Sequence, residues 1–310
     1  MHKTMISLPS ALAAQDKKSD FRVVYLPLLV VQVLFSTLPV AAKLTFRFFP
    51  PPALAIYRIA GAAILFFLIF RFFFPEKIKK PVHFLYFAVL SLLGVTGNQL
   101  LFLKGLSLTT AANASLLMAS IPIFTLAVAV LLRHEKFNFF KAGGLIVALS
   151  GIFLLLDLPG FQSGTSLAGN LLIICNAFLY SLYLVLCRPL LKIYRSLTVM
   201  TYTFLFGTLS ALPFTLAPAL AVKYPEIAAQ DYLPPLYAII MGTFLPYIIN
   251  AFALKRGSSS LAAIFTYIQP LLGALLSVII LGEKISLAMI LAGILIMLGV
   301  GLASLSRNQA

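Results

Sequence analysis

The chain has 310 residues, 61% of them hydrophobic and 10% charged, with a formal net charge of +15 and a mean hydropathy of +1.04. A soluble domain carries about 25% charged residues, so this composition excludes a water-soluble globule and points to a lipid bilayer as partner. The Lys and Arg residues sit in short loops between apolar runs, where they orient a membrane protein and make no basic surface for nucleic acid.

Residues 1–22 hold an apolar run too short and too broken by Ser and Pro for a signal peptide, and are expected to be a cytoplasmic tail. Ten apolar segments follow, each near the length of about 20 residues that a membrane helix needs. The first five run over residues 23–42, 53–74, 84–103, 110–132 and 139–156. Pro50-Pro51-Pro52 breaks the chain before the second, and Arg133-His134-Glu135-Lys136 stops the fourth. A Pro/Gly/Ser/Thr-rich stretch, 158–166, reads as a linker between halves, 23–157 and 167–304. The second five run over 167–187, 198–217, 233–254, 259–281 and 287–304, leaving 305–310 as a second cytoplasmic tail. Cys175 and Cys187 lie on one segment, about 18 Å apart along a helix, too far for a disulfide.

With the N-terminus inside, inner loops collect 17 of the 23 basic residues, outer loops five, and Arg58 falls within the second segment. That bias supports ten spans with both termini cytoplasmic. A repeat divides them. Pro122, Glu135-Lys136 and Gly151 recur 148 residues later as Pro270, Glu283-Lys284 and Gly299. At an offset of 145, Phe35 meets Tyr180, Lys43 meets Arg188 and Tyr57 meets Tyr202. Five spans per half is an odd number, so the two copies enter the membrane in opposite directions. The expected fold is all-α and integral to the membrane, with ten transmembrane helices as two inverted five-helix repeats. Two such halves exchange roles to open a midplane site alternately to either side.

The Pro-led helix, Glu-Lys turn and Gly-rich last helix in each half, with Arg58 in the second helix, make residues 25–305 resemble the EamA-type transporters of the drug/metabolite transporter superfamily. The resemblance implies export of amino acids or related metabolites across a bacterial inner membrane, through a cavity lined by both halves. It implies no particular substrate. The chain has no Trp, whereas the first and sixth helices of the family often carry aromatics such as Trp. Phe35 and Tyr180 stand at those places.

A polar side chain in hydrocarbon is costly unless it faces protein or water, so intramembrane polar groups are the candidate site. The third and eighth segments offer Asn98, Gln99, Tyr247 and Asn250, with Gln99 and Tyr247 aligned at the 148 offset; these groups either bind substrate or bond neighbouring helices together. Gln32 and Phe35 on the first segment, Asn176 and Tyr180 on the sixth, and Tyr267 and Gln269 beside Pro270 complete the polar and aromatic set. Phe102 and Met118 would suit an apolar or aromatic moiety. Pro122 and Pro270 each remove a backbone donor and are expected to kink their helices mid-membrane as gating points. Arg58 is either an anion anchor or a side chain snorkelling to the outer headgroups; Lys43 is expected to snorkel. Asn113 and Ser115 read as a solvated cap, and Phe66, Phe67, Phe72 and Phe73 as lipid- or interface-facing.

None of the eight acids and none of the three His residues lies mid-segment, so no group is placed for a proton relay, and no counter-ion awaits a cationic drug. No HExxH, Gly-x-Ser-x-Gly or acidic pair appears, which argues against a membrane enzyme. The expectation is a monomeric secondary transporter, uncoupled or weakly coupled, for small neutral or zwitterionic metabolites, with no cofactor and no metal.

Overall fold

The computed structural model describes residues 24–132, 139–155, 166–256, 265–266 and 268–305. The two tails, most of the linker, Glu135-Lys136 and Tyr267 lie outside the described residues. Among the described residues the chain is helical, without strands. Seven spans are long and apolar enough to cross a membrane: α1 (Tyr25–Thr45), α2 (Pro51–Phe73), α3 (Val82–Ser107), α4 (Ala111–Leu131), α6 (Leu167–Ile193), α7 (Ser196–Leu220) and α8 (Ala229–Arg256). Three further apolar helices, α5 (Phe139–Leu155), α9 (Ile268–Leu281) and α10 (Leu287–Leu305), bring the total among described residues to ten.

Local chemistry sets the ends. Pro51 and Pro52 occupy the first turn of α2, where a missing N–H costs nothing. Thr110 and Ser166 cap α4 and α6, accepting the N–H groups of Asn113 and Gly169. Gly282 closes α9 at φ +67°, a left-handed conformation that glycine adopts without penalty, and its N–H bonds the carbonyl of Val278.

Packing follows the repeat. The pair α1 and α9 is matched by its repeat partner, α6 and α4, while α2 packs on α7 and α5 on α10. The last of these crossings explains the repeated glycines. A Cβ on Gly151 would come within 2.7 Å of the Ala292 carbonyl, and one on Gly299 within 2.5 Å of the Gly144 carbonyl. Only glycine lets the two backbones approach so closely.

The repeat also reappears in backbone irregularities. Leu92–Thr96 in α3 and Ile240–Phe244 in α8 are each a single turn of π-helix, and their bounds differ by 148 residues. The expected mid-membrane kink at Pro122 takes the form of a break in the preceding turn. α4 breaks at Ala119-Ser120, whose N–H groups close tight turns onto Leu116 and Leu117, and Pro122 then occupies the first turn of the renewed helix. In α4 the interruption precedes the proline, because proline at a helix start avoids the steric clash that it causes in a helix interior. Phe66 corrects another expectation. It is fully buried, with ring centroids 5.0 Å from Phe204 and 4.8 Å from Phe244. Phe67, Phe72 and Phe73 are exposed as expected.

Candidate functional site

A cavity of about 50 Å³ lies between the two halves. The first half contributes Phe35, Arg58, Asn98, Gln99, Phe102 and Met118; the second contributes Asn176, Tyr180, Tyr247 and Gln269. These are ten of the side chains that the sequence singles out, drawn from seven helices. The cavity has room for a few water molecules, so a solute of amino-acid size is admitted only when its walls part.

Three rings form one wall. Phe35 meets Tyr180 and Tyr247 edge-on, with centroids 6.4 and 6.0 Å apart, and Tyr180 meets Tyr247 at 6.5 Å. Edge-to-face contacts of this kind hold rings in a defined orientation. Phe35 and Tyr180 are themselves a repeat pair, so the ring cluster straddles the junction of the halves.

The polar wall is built on the two π-turns, and each serves the other half. In the first half's turn, the Gly94 carbonyl accepts the Tyr247 hydroxyl at 2.8 Å, with Asn98 Oδ1 3.3 Å from the same hydroxyl. In the second half's turn, Thr243 Oγ1 accepts Arg58 Nε at 2.9 Å and the Gly242 carbonyl accepts Nη2 at 3.4 Å. Thr243 donates its own proton to Ala238 O at 2.8 Å, so it faces the arginine as an acceptor. Gly94 and Gly242 are 148 residues apart. In each π-turn the glycine carbonyl receives a donor from across the junction.

Arg58 is 2% exposed and lines the cavity, so it does not snorkel to the surface. Its Nη1 has no hydrogen-bond partner among the described residues, nor have Oε1 and Nε2 of Gln99 or Oδ1 of Asn176. Gln99 lies beside the Tyr247 hydroxyl without reaching hydrogen-bond geometry. Asn176 turns its amide nitrogen to the Asn98 carbonyl at 2.7 Å. Four buried polar atoms at one cavity are therefore without partners among the described residues, and buried polar atoms of this kind call for water or a ligand.

Other candidates are placed differently. Gln32 is buried but off the cavity wall, where its Oε1 accepts Gln269 Nε2 at 2.6 Å and ties α1 to α9. Asn250 also lies behind the wall and donates to the Tyr180 hydroxyl at 3.0 Å. Tyr267 lies outside the described residues. Asn113 and Ser115 are not a solvated cap: both are buried. Asn113 donates to Thr109 and Asn170, and Ser115 lines the cavity. The face of α4 that they occupy turns inward against α6 and α9, which distance along the helix could not show. Sequence reasoning missed Leu38, Pro39 and Ile121 on the wall, apolar residues that carry no signal in apolar text. It also missed Gly242 and Thr243. Their signal was available, since Gly94 and Gly242 match at the same offset as the prolines.

Glu283 has a defined partner. Its two carboxylate oxygens accept the N–H groups of Ala111 and Ala112, both at 2.8 Å, capping α4 of the other half. A carboxylate at a helix N-terminus satisfies free donors and the helix dipole together. Lys43, half-buried on α1, is electrostatically coupled to the same carboxylate.

Comparison with known proteins agrees with this architecture. A model of the EamA-like transporter family matches residues 23–157 and again 167–305. An uncharacterized transporter of Archaeoglobus fulgidus is 30% identical over 274 residues, covering 86% of this chain and 92% of its own. The uncharacterized transporter YdfC of Bacillus subtilis is 28% identical, covering 84% of each chain. The plant protein WALLS ARE THIN 1 of Arabidopsis thaliana is 26% identical, over 76% of this chain and 71% of its own. One solved crystal structure superposes with a TM-score of 0.66 at 22% identity, covering 92% of this chain and 97% of that one. At that identity it speaks to the fold alone.

Proposed function

The chain belongs to the EamA-like transporter family and is a multi-pass membrane transporter; from that premise we propose that it moves small metabolites, amino acids or related compounds, by alternating access. The supporting observation is the cavity between the halves, lined by repeat-related elements and cross-braced through the two π-turns. A site at the junction of inverted repeats changes its exposure when the halves exchange conformations. The polar atoms left open on one wall and the three rings on the other suit a solute with a polar end and an apolar or aromatic body. Quaternary cations fit less well, because no acid of this sequence lies in the middle of a span.

Outward movement across a bacterial inner membrane is the direction that the family resemblance implies, and the basic inner loops argue for cytoplasmic termini. The same lack of intramembrane acids supports facilitated, uncoupled movement. Counterflow in proteoliposomes tests this. Labelled solute should accumulate against preloaded unlabelled solute without any pH gradient. Uptake that appears only with an imposed pH gradient would refute the uncoupled mechanism, and no counterflow of any solute would refute transport.

A further inference from the structure

We propose that the site selects solutes bearing a carboxylate, seated on Arg58, with an apolar body against the Phe35–Tyr180–Tyr247 rings, and that a substrate ammonium group is dispensable. This rests on the transport reading above and narrows it to organic monocarboxylates.

The charge balance carries the inference. Arg58 is a permanent cation, 2% exposed. Every described acid is engaged elsewhere or lies away from it. Glu76 accepts the Arg195 N–H and the Thr198 hydroxyl at the start of α7. Glu226 pairs with Lys223, Glu283 caps α4, and Asp231 lies in a short helical turn at the start of α8. The remaining acids, Asp16, Asp20, Glu135 and Asp157, fall outside the apolar segments of the sequence. A buried cation without a counter-ion is costly, and a substrate carboxylate supplies the missing charge.

The geometry matches. Nε is held by Thr243 at 2.9 Å, which fixes the guanidinium plane. Nη1 has no partner among the described residues and Nη2 makes only a long contact of 3.4 Å. That edge is the fork on which a carboxylate docks with two parallel bonds. The Gln99 amide adds a further donor to the same cavity. Nothing comparable awaits an ammonium group: the orphaned acceptors, Gln99 Oε1 and Asn176 Oδ1, are neutral, and Arg58 repels a second cation at the same wall.

The test uses the purified full-length protein and four probes sharing one phenyl body: 3-phenylpropanoate, 3-phenylpropanamide, phenethylamine and phenylalanine. Ligand-dependent thermal stabilisation ranks their affinities. The acid should bind at least about tenfold more tightly than the amide, the scale of a charge-assisted pair. Phenethylamine should not bind, and phenylalanine should be no tighter than the acid. In Arg58→Gln the preference for acid over amide should vanish while amide affinity persists, a change that a merely structural arginine would not produce. Should that variant fail to fold, the wild-type ranking decides alone. Equal or tighter binding of the amide or the amine overturns the assignment, as does binding of none of the four. A tenfold preference for phenylalanine over the acid also overturns it, as does acid preference retained in Arg58→Gln. Counterflow with the same probes separates the two readings: exchange of amine or amide in preference to acid leaves transport standing and removes the carboxylate site.

Discussion

Tyr247 shows how a single residue serves both halves. Its hydroxyl bridges Gly94 O and Asn98 Oδ1 on the first half, while its ring closes the aromatic wall. Tyr247→Phe should keep the ring and lose the bridge. About 1 kcal/mol of stability should go with it, and KM for the transported solute should change several-fold while expression holds. Gln99→Ala opens the neighbouring wall without breaking a protein hydrogen bond, so it should alter KM and leave the melting temperature within a degree or two. Unchanged transport kinetics in both variants would remove this pair from the site. The pairing of these two residues was legible from their offset alone. The burial of Asn113 was not, because sequence reports depth along a helix and not which neighbours cover its face. Arg58 was undecided for the same reason: a guanidinium near a span's end reaches either headgroups or the interior, and only the position of Thr243 settles which.

At the scale of elements, the repeated motif acts at the junction between the halves. Gly151 and Gly299 bring α5 and α10 into contact, Pro122 follows a break beside the cavity, and Glu283 fastens the turn before α10 onto the start of α4. Gly299→Leu should therefore destabilise the protein by about 1–3 kcal/mol through overpacking at the α5–α10 crossing, read as a lower melting temperature. Gly301→Leu, where a Cβ meets open space, should be near neutral. Glu283→Ala removes two hydrogen bonds and a favourable charge at a helix N-terminus, worth about 1–2 kcal/mol, and should loosen that face of the molecule. With Cys175 and Cys187 replaced by Ala, Ser115→Cys on the cavity wall should react faster with a membrane-impermeant thiol reagent once Glu283 is lost. An unchanged labelling rate would mean that the cap does not hold the face closed. The sequence marked these turns by their repetition, and it lacked the partner: Ala111 and Ala112 present only backbone N–H groups, which leave no trace in side-chain text.

For the whole molecule, the odd number of spans per half puts equivalent turns on opposite sides of the bilayer. In the same cysteine-free background, Lys136→Cys should label only from the cytoplasmic side and Lys284→Cys only from outside. Labelling of both from one side would overturn the inverted arrangement. The two π-turns, 148 residues apart, are the strongest structural trace of the duplication, since an irregularity of backbone is kept in both halves where composition alone would drift.

The sequence by itself determined the solvent, the ten spans, the division into halves and most of the cavity wall. Those follow from hydropathy, charge bias and a fixed offset, which are properties of the chain read along its length. Only the tertiary structure decided which polar groups bond one another and which face the cavity. Gln32 with Gln269 and Asn250 with Tyr180 are satisfied across helices, whereas Arg58, Gln99 and Asn176 keep atoms open. The physical reason is that a hydrogen bond depends on separations of about 3 Å between helices, and these are set by where glycines, π-turns and rings let the backbones approach.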